Sequence, residues 1–221
     1  QNSFIPYTWH FPFVGEVPYK GFFSRTRAEA EYDKLRSQGY DVLLRPVMAY
    51  STLGYLSDPL LSTMLSYPPH VLTDLILHEL THATMYAKGH TDFNESVATF
   101  IGQEGARQFL NKHYGEDNPY LHSALEEKRD RERFRFFLKD LTQTLDSLYQ
   151  ASTNDPELPN KRKQIFKRAQ RRFKETLPLY RNQGYEAFLY WEINNARLLS
   201  YRRYNSKQNL FHRIHDSLKG D

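Results

Sequence analysis

One five-residue stretch, His78-Glu79-Leu80-Thr81-His82, constrains this chain more than any other, because its H-E-x-x-H pattern needs a helix. Each residue turns a helix by roughly 100°, so residues four apart lie about 40° apart around its axis. Both imidazoles therefore face one side and can bind one metal ion. Glu79 can reach the open coordination position of that ion, where we expect it to accept a proton from bound water.

The flanking residues predict the helix that this motif requires. Pro68 and Pro69 suit a first helical turn, and Gly89 suits a stop. Apolar residues between these points lie on almost every side, so we expect a buried helix. They are Val71, Leu72, Leu75, Ile76, Leu77 and Leu80.

A hydrolytic zinc site needs three protein ligands and one open position, so a third ligand should lie nearby. After Gly89, a short polar turn leads to a second helix that we predict to end at about His113. Glu95 in its first turn would return toward the histidines. Asp92 is the rival ligand, whereas His90 is interpreted as a turn residue.

Two glycines of this second helix, Gly102 and Gly105, would let the two helices approach closely. Glu104 is not a ligand candidate, because nine residues past Glu95 it faces the opposite side of the helix.

The pattern H-E-x-x-H followed by N-E-x-x-A at residues 94–98 resembles the gluzincin metallopeptidases, in which a glutamate is the third zinc ligand. More narrowly, five ordered segments between Thr8 and Tyr204 resemble a bacterial family described as putative aminopeptidases. These segments are TWHFPFVGEVPYKGFF, AYSTLGYLSDPLLSTM, HELTHAT, FNESVATFIGQEG and NNARLLSYRRY. The resemblance implies a zincin-like fold, one Zn²⁺ per chain held by His78, His82 and Glu95, and cleavage of peptides.

The chain departs from these families at several places, two of which concern named side chains. Thermolysin-like gluzincins carry N-E-x-x-S-D, whereas this chain has Ala98 and Thr99, so the aspartate that steadies a zinc histidine is missing there. Members of the narrower family often show two cysteines where this chain has His10 and Glu16. The chain contains no cysteine, which excludes a disulfide.

The resemblance also suggests the remaining site residues. Zincins often place a tyrosine or histidine opposite the metal to stabilise an oxyanion. Tyr204 matches a tyrosine of the family pattern, so we assign it this role, with Asn195 as a positioning group. Tyr55 and Asp58, in the loop before the zinc helix, are candidate substrate-binding residues.

The remaining pattern predicts an α+β fold that is mostly helical. We expect a short strand or hairpin within residues 14–23 and a strand at 40–50, whose edge could pair with an extended peptide. Further helices are predicted at 25–38, 118–150, 160–177 and 185–204. We expect one domain, 1–221, with a β-containing part at 1–66, the zinc-binding helix pair at 67–115 and a helical part at 116–221.

Composition excludes several other classes. Hydrophobic residues make up 39% and aromatic residues 15% of the chain, which indicates a folded protein. The basic run at 161–174 is interpreted as a solvated helix face, so we expect no specific nucleic-acid partner. No apolar run has transmembrane length. The chain opens with Gln1, which is compatible with a removed signal or anchor segment, and we expect a bacterial cell-envelope or periplasmic location.

The predicted function is a zinc metallopeptidase that acts on a peptide or protein substrate, with aminopeptidase activity implied by the resemblance alone. Two alternatives stay open. One is an endopeptidase or a cell-wall amide hydrolase on the same zinc site. The other is a non-enzymatic envelope protein with a vestigial metal site, although the intact Glu79 argues against it.

Overall fold

The computed structural model describes residues 3–47, 49, 52, 59–151, 155–205 and 207–218. The chain divides into two compact units. The first comprises Gln1–Pro6, Gly21–Leu44 and Glu126–Ser200, and the second Tyr7–Lys20, Arg45–Leu125 and Tyr201–Asp221. The single domain expected from the sequence stays a prediction.

Helices dominate the described part of the chain, with one small sheet near the N-terminus, as the sequence predicted. The helices are α1 (Arg25–Ser37), α2 (Pro69–Thr84), α3 (Thr91–Tyr114), α4 (Pro119–Ala151), α5 (Leu158–Thr176), α6 (Asn195–Asn205) and α7 (Gln208–Ser217). Shorter 3-10 helices cover Ser62–Ser66, Leu177–Leu179 and Gln183–Tyr190. Among these described residues, none of the helices is both long and apolar enough to cross a membrane.

The sheet is an antiparallel hairpin of β1 (Trp9–Phe11) and β2 (Gly15–Val17). Gly15 has a φ of 82°, a conformation that glycine adopts without strain. His10 lies opposite Glu16, and its Nδ1 is 3.0 Å from Oε1 of that residue. A polar contact thus joins the two strands at the positions where the resembling family often has cysteines.

In the second unit, α2 packs against α3 through the predicted glycines. A Cβ atom built on Gly102 would lie 2.8 Å from the backbone oxygen of Asp74, and one on Gly105 would lie 2.7 Å from Cδ1 of Leu77. Side chains at either position would collide with α2. The expected close approach of the two helices is therefore confirmed.

Two predictions for α2 are wrong. The helix ends at Thr84 rather than near Gly89, whose backbone N–H instead donates to the carbonyl of Val14 in the hairpin turn, at 3.3 Å. The helix is also not buried all round, because Ile76 and Leu80 are 37% and 54% exposed. Its buried residues are His70, Thr81 and His82.

The first unit has an aromatic core. Phe134 of α4, Phe173 of α5 and Phe188 of the 3-10 helix Gln183–Tyr190 are almost fully buried. Ring centroids lie 5.4 Å apart for Phe134 and Phe173, and 4.7 Å apart for Phe173 and Phe188.

The predicted basic helix is α5, and it is amphipathic as expected. Its exposed basic residues are Lys161, Lys163, Lys167, Arg168, Arg171, Arg172 and Lys174.

The predicted strand at 40–50 is wrong for residues 40–47 and 49; Met48 and Tyr50 lie outside the described residues. Polar groups of this segment bond to side chains and to a helix end instead of a neighbouring strand. The carbonyl of Val42 accepts from Nδ2 of Asn194 at 3.1 Å, and Oδ2 of Asp41 accepts from the backbone N–H of Asn195 at 2.9 Å. Pro46 has no N–H to donate. Over this described stretch there is no strand edge for a peptide.

The predicted helix at 185–204 is also wrong in its first half. A 3-10 helix ends at Tyr190, and α6 begins at Asn195. The interruption has a cause outside the segment, because Nε2 of Gln170 on α5 donates to the carbonyls of Phe188, Leu189 and Trp191 at 3.0–3.2 Å. These bonds replace those that a continuous α-helix would make.

Candidate metal centre

Three side chains from two helices converge in the second unit: His78 and His82 of α2, and Glu95 of α3. Nε2 of His78 is 3.2 Å from Nε2 of His82. Oε2 of Glu95 is 3.5 Å from the first of these nitrogens and 3.6 Å from the second. The three residues form a group that could bind a metal ion.

The spacing of these atoms fits the requirements of a tetrahedral site. Ligands about 2.0–2.1 Å from a central zinc ion are separated from one another by roughly 3.3 Å. The observed edges of 3.2, 3.5 and 3.6 Å are close to this value. Two imidazoles and a carboxylate are also a donor set that zinc uses, and three ligands leave a fourth position open.

Asn94, the residue before Glu95, fixes the connection between the two helices. Its Oδ1 accepts from the backbone N–H of Ala87 at 2.9 Å, and its Nδ2 donates to the carbonyl of the same residue at 2.8 Å. The side chain is 1% exposed. α2 ends at Thr84, and this pair of hydrogen bonds holds the connection that follows it against the start of α3. The first turn of α3 is thereby placed beside the histidines.

The electrostatics of the group favour an anionic glutamate. Burial raises the pKa of the Glu95 carboxyl, but hydrogen bonds and charge interactions with His78 and His82 together outweigh it and set that pKa at about 2. The residue is only 5% exposed. A cation placed between the three side chains would therefore meet a preformed negative charge.

His82 carries a polar atom that protein contacts leave unused. Its Nδ1 is buried and has no hydrogen-bond partner among the described residues. This agrees with the absence of the aspartate that steadies a zinc histidine in thermolysin-like gluzincins. Among the described residues, the polar contacts of this ring are those of Nε2 with His78 and Glu95.

Tyr204, the predicted oxyanion group, lies beside the histidines. Its ring centroid is 6.1 Å from that of His78, and its hydroxyl accepts from Nη2 of Arg45 at 3.4 Å. Burial, followed by the charge of Glu95, raises the pKa of the Tyr204 phenol, so the hydroxyl keeps its proton at neutral pH.

The predicted base, Glu79, is half-buried on α2 directly after His78. Both roles stay predictions.

Asn195, the predicted positioning group, makes its visible bonds within the first unit. Nδ2 donates to the carbonyl of Ser3 at 2.9 Å, and Oδ1 accepts from the hydroxyl of Tyr149 at 2.8 Å. These bonds give Asn195 a structural task there, and a role with substrate stays a prediction. The other two substrate-binding candidates, Tyr55 and Asp58, lie outside the described residues.

Asp92, the rival ligand, is exposed in the first turn of α3 and is not a member of the grouped side chains. Its Oδ1 lies 3.6 Å from Nε of Arg203. A carboxylate in a first helical turn is also favoured by the helix dipole. His90, interpreted from the sequence as a turn residue, precedes the first residue of α3 and is exposed.

Sequence reasoning missed Tyr19, whose hydroxyl donates to Oε1 of Glu95 at 3.3 Å. Tyr19 is partly exposed, but desolvation of its phenol group and the charge of the neighbouring Glu95 raise the pKa of that phenol, so it remains a donor. The guanidinium of Arg203 lies 5.4 Å from the centre of its ring. Both residues belong to segments that carry the family resemblance, and that was the one available signal for them.

A family model described as putative aminopeptidase matches residues 1–221, the whole chain. The chain belongs to this family. No curated protein and no solved structure matches it. Membership of the putative aminopeptidase family indicates a hydrolase whose substrates are peptides. The group of His78, His82 and Glu95 could hold a metal ion.

Proposed function

We propose that this chain is a zinc-dependent metallopeptidase of the gluzincin type with a zincin-like fold, and that it acts as an aminopeptidase. The observation that carries the proposal is the triangle of His78, His82 and Glu95 donor atoms, with edges of 3.2–3.6 Å. These three residues would hold Zn²⁺. The aminopeptidase specificity is supported by the family description.

Zn²⁺ in this position would supply Lewis acidity, which polarises a peptide carbonyl and acidifies water. The protein would supply the proton transfers. Glu79 follows the first histidine on the same helix, and its carboxylate accepts a proton from the attacking water and passes it to the leaving amine. The low pKa of Glu95 keeps that neighbouring carboxylate ionised, so Glu79 is the carboxylate assigned to proton transfer.

Tyr204 is suited to stabilise the oxyanion that forms on the substrate. Its oxygen accepts the N–H of Arg45, so its own proton is directed to another acceptor. An oxyanion beside His78 would be such an acceptor, and the nearby guanidinium would strengthen the donated bond by polarising the hydroxyl. Tyr204 and Arg45 would therefore act as a pair.

We further propose that the enzyme works in the bacterial cell envelope or periplasm, which rests on the family resemblance. Cleavage within peptides, or of cell-wall amides, would use the same three ligands and Glu79. The ends of the substrate separate these activities from aminopeptidase activity. An aminopeptidase must recognise a free α-amine, whereas the other two need not.

The test is digestion of a peptide library by the zinc-loaded protein, with products identified by mass spectrometry. Each peptide is supplied with a free and with an acetylated N-terminus, and Glu79→Gln serves as the inactive control. Loss of single N-terminal residues from the free peptides alone supports the aminopeptidase proposal. Internal cleavage of acetylated peptides would make the chain an endopeptidase. A parallel digest of peptidoglycan tests the cell-wall amide alternative. Absence of cleavage in both digests, by protein that holds zinc, would overturn the enzymatic proposal.

A further inference from the structure

We propose that Tyr19 is a positioning residue for the metal centre, which fixes the rotation of the Glu95 carboxylate so that one oxygen faces the histidines. This inference rests on the proposed function, because it takes Glu95 to be a metal ligand. In this proposal Tyr19 contacts the ligand Glu95, Arg203 contacts Tyr19, and Asp92 contacts Arg203.

The two oxygens of Glu95 have different partners. Oε1 accepts the hydroxyl of Tyr19 at 3.3 Å, whereas Oε2 lies 3.5 Å and 3.6 Å from the two histidine nitrogens. A carboxylate whose one oxygen is held by a donor presents the other oxygen alone to a cation. Tyr19 thus favours binding through one oxygen, which keeps the coordination number low and a position open for substrate.

Tyr19 is itself held by a buried cation. The guanidinium of Arg203 lies 5.4 Å from the centre of the tyrosine ring, within the range of a cation–π contact. Arg203 is only 7% exposed, and its backbone carbonyl accepts the hydroxyl of Ser96 at 2.8 Å. Because Ser96 directly follows Glu95, this bond ties the cation to the same turn of α3 as the ligand.

The charge of Arg203 is offset by Asp92. Nε of Arg203 is 3.6 Å from Oδ1 of this aspartate, one turn before Glu95 on α3. The carboxylate that competes with Glu95 as a ligand in the sequence therefore has a different task in the structure. It stabilises the cation on which Tyr19 rests.

The hairpin that delivers Tyr19 is anchored to the connection between α2 and α3. The N–H of Gly89 donates to the carbonyl of Val14 at 3.3 Å, and Nζ of Lys88 donates to the carbonyl of Pro12 at 3.1 Å. Tyr19 follows the second strand of this hairpin by two residues. The hydroxyl is thus fixed relative to the same connection that places Glu95.

The experiment compares zinc affinity in Tyr19→Phe with that of the wild type, by competition with a chelator of known affinity. The substitution removes the hydroxyl and keeps the ring on Arg203. Mutation of a residue that hydrogen-bonds to a metal ligand typically weakens metal affinity by about 10–100-fold, so we expect the zinc Kd to rise about 10-fold or more. The melting temperature of the metal-free protein should stay that of the wild type.

Tyr7→Phe is the matched control, since Tyr7 precedes the same hairpin and is 41% exposed, compared with 42% for Tyr19. Its zinc Kd should equal that of the wild type. A second readout is the visible absorption spectrum of the Co²⁺-substituted protein, which should change in Tyr19→Phe as the carboxylate rotates, and remain unchanged in Tyr7→Phe.

The outcomes separate this inference from the proposed function. Wild-type protein that binds no zinc would overturn both. Wild-type protein that binds zinc and loses it in His78→Ala, combined with a Tyr19→Phe Kd within about twofold of wild type, would overturn the role of Tyr19 alone. An equal weakening in Tyr7→Phe would also overturn it, because the effect would then belong to the hairpin.

Discussion

Nε2 of His78 lies 3.5 Å from Oε2 of Glu95, although the two residues belong to different helices. Two local features bring them together. Gly102 lets α3 approach α2 at backbone distance, and the side chain of Asn94 closes the connection between the helices. Each feature can be removed by a single substitution, so each gives a prediction about stability, and the substitution of Asn94 gives one about metal binding as well.

Gly102→Ala should lower the free energy of unfolding by on the order of 1–3 kcal/mol, the usual cost of overpacking. The new Cβ would lie 2.8 Å from the backbone oxygen of Asp74, which cannot move without its helix. Gly105→Ala should cost less, because its Cβ meets only the tip of the Leu77 side chain. Gly21→Ala, which meets nothing within 4 Å, is the control. Chemical denaturation measures all three, and a Gly102→Ala protein as stable as Gly21→Ala would contradict the close packing.

Asn94→Ala should destabilise the protein and weaken its binding of zinc. The N–H of Ala87 would lose its partner, whereas its carbonyl would keep the bond from the backbone N–H of His90 at 3.1 Å. A buried polar group without a partner costs about 1–3 kcal/mol. Asn160→Ala, at an exposed asparagine bonded to Glu157, should be nearly neutral. Denaturation and chelator competition provide the two measurements. Unchanged zinc affinity in a destabilised Asn94→Ala protein would show that the connection does not position Glu95.

Glu79→Gln should bind zinc with wild-type affinity and melt at the wild-type temperature, yet lose hydrolysis. An amide has nearly the shape of a carboxylate but cannot accept the proton of the attacking water, and a general base contributes typically about 10²–10⁴-fold to rate. Steady-state kinetics on the best peptide from the library give kcat for both proteins. Turnover at the wild-type rate would exclude Glu79 as the base.

Glu104 gives a prediction about pH. Burial raises the pKa of its carboxyl, but the hydrogen bond and charge of Arg107, with help from Gln108 and His215, lower it below the ordinary value. A carboxyl whose pKa is lower in the folded state stabilises the protein above its unfolded pKa, and this contribution is lost as pH falls through the folded pKa. Glu104→Gln should thus be less stable than the wild type at neutral pH. The difference in free energy of unfolding between the two proteins should disappear in strong acid. A difference of equal size at neutral and acid pH would contradict a lowered pKa of Glu104.

Much of the helical fold follows from local sequence signals. The 3.6-residue apolar period and the flanking glycines and prolines predicted α1, α3, α4 and α5 to within a few residues. The failures have long-range causes that a local pattern cannot carry. Val42 bonds to the side chain of Asn194, and Asp41 bonds to the N-terminus of α6. Gln170 interrupts the predicted last helix, so groups distant in the sequence decided both segments.

The candidate site divides in the same way. The two histidines share one helix, and spacing placed a third ligand, Glu95 or its rival Asp92, near the start of the next helix. The family resemblance favoured Glu95, which is the fifth residue of that helix. Tyr19 lies 76 residues before Glu95, and Arg203 lies 107 residues after Ser96. Their positions depend on how the hairpin and α6 reach α3, and no periodicity in the sequence encodes that arrangement.

The central claim is that His78, His82 and Glu95 bind zinc, and metal titration of the apo protein tests it most directly. Calorimetry on the wild type, Glu95→Ala and Asp92→Ala, with circular dichroism to verify folding, gives stoichiometry and affinity for each. We predict about one tight zinc ion per chain for the wild type. Asp92→Ala should still bind zinc, and folded Glu95→Ala should bind none tightly. A wild type without tight binding, or an Asp92 variant that loses the metal while the Glu95 variant keeps it, would contradict the account.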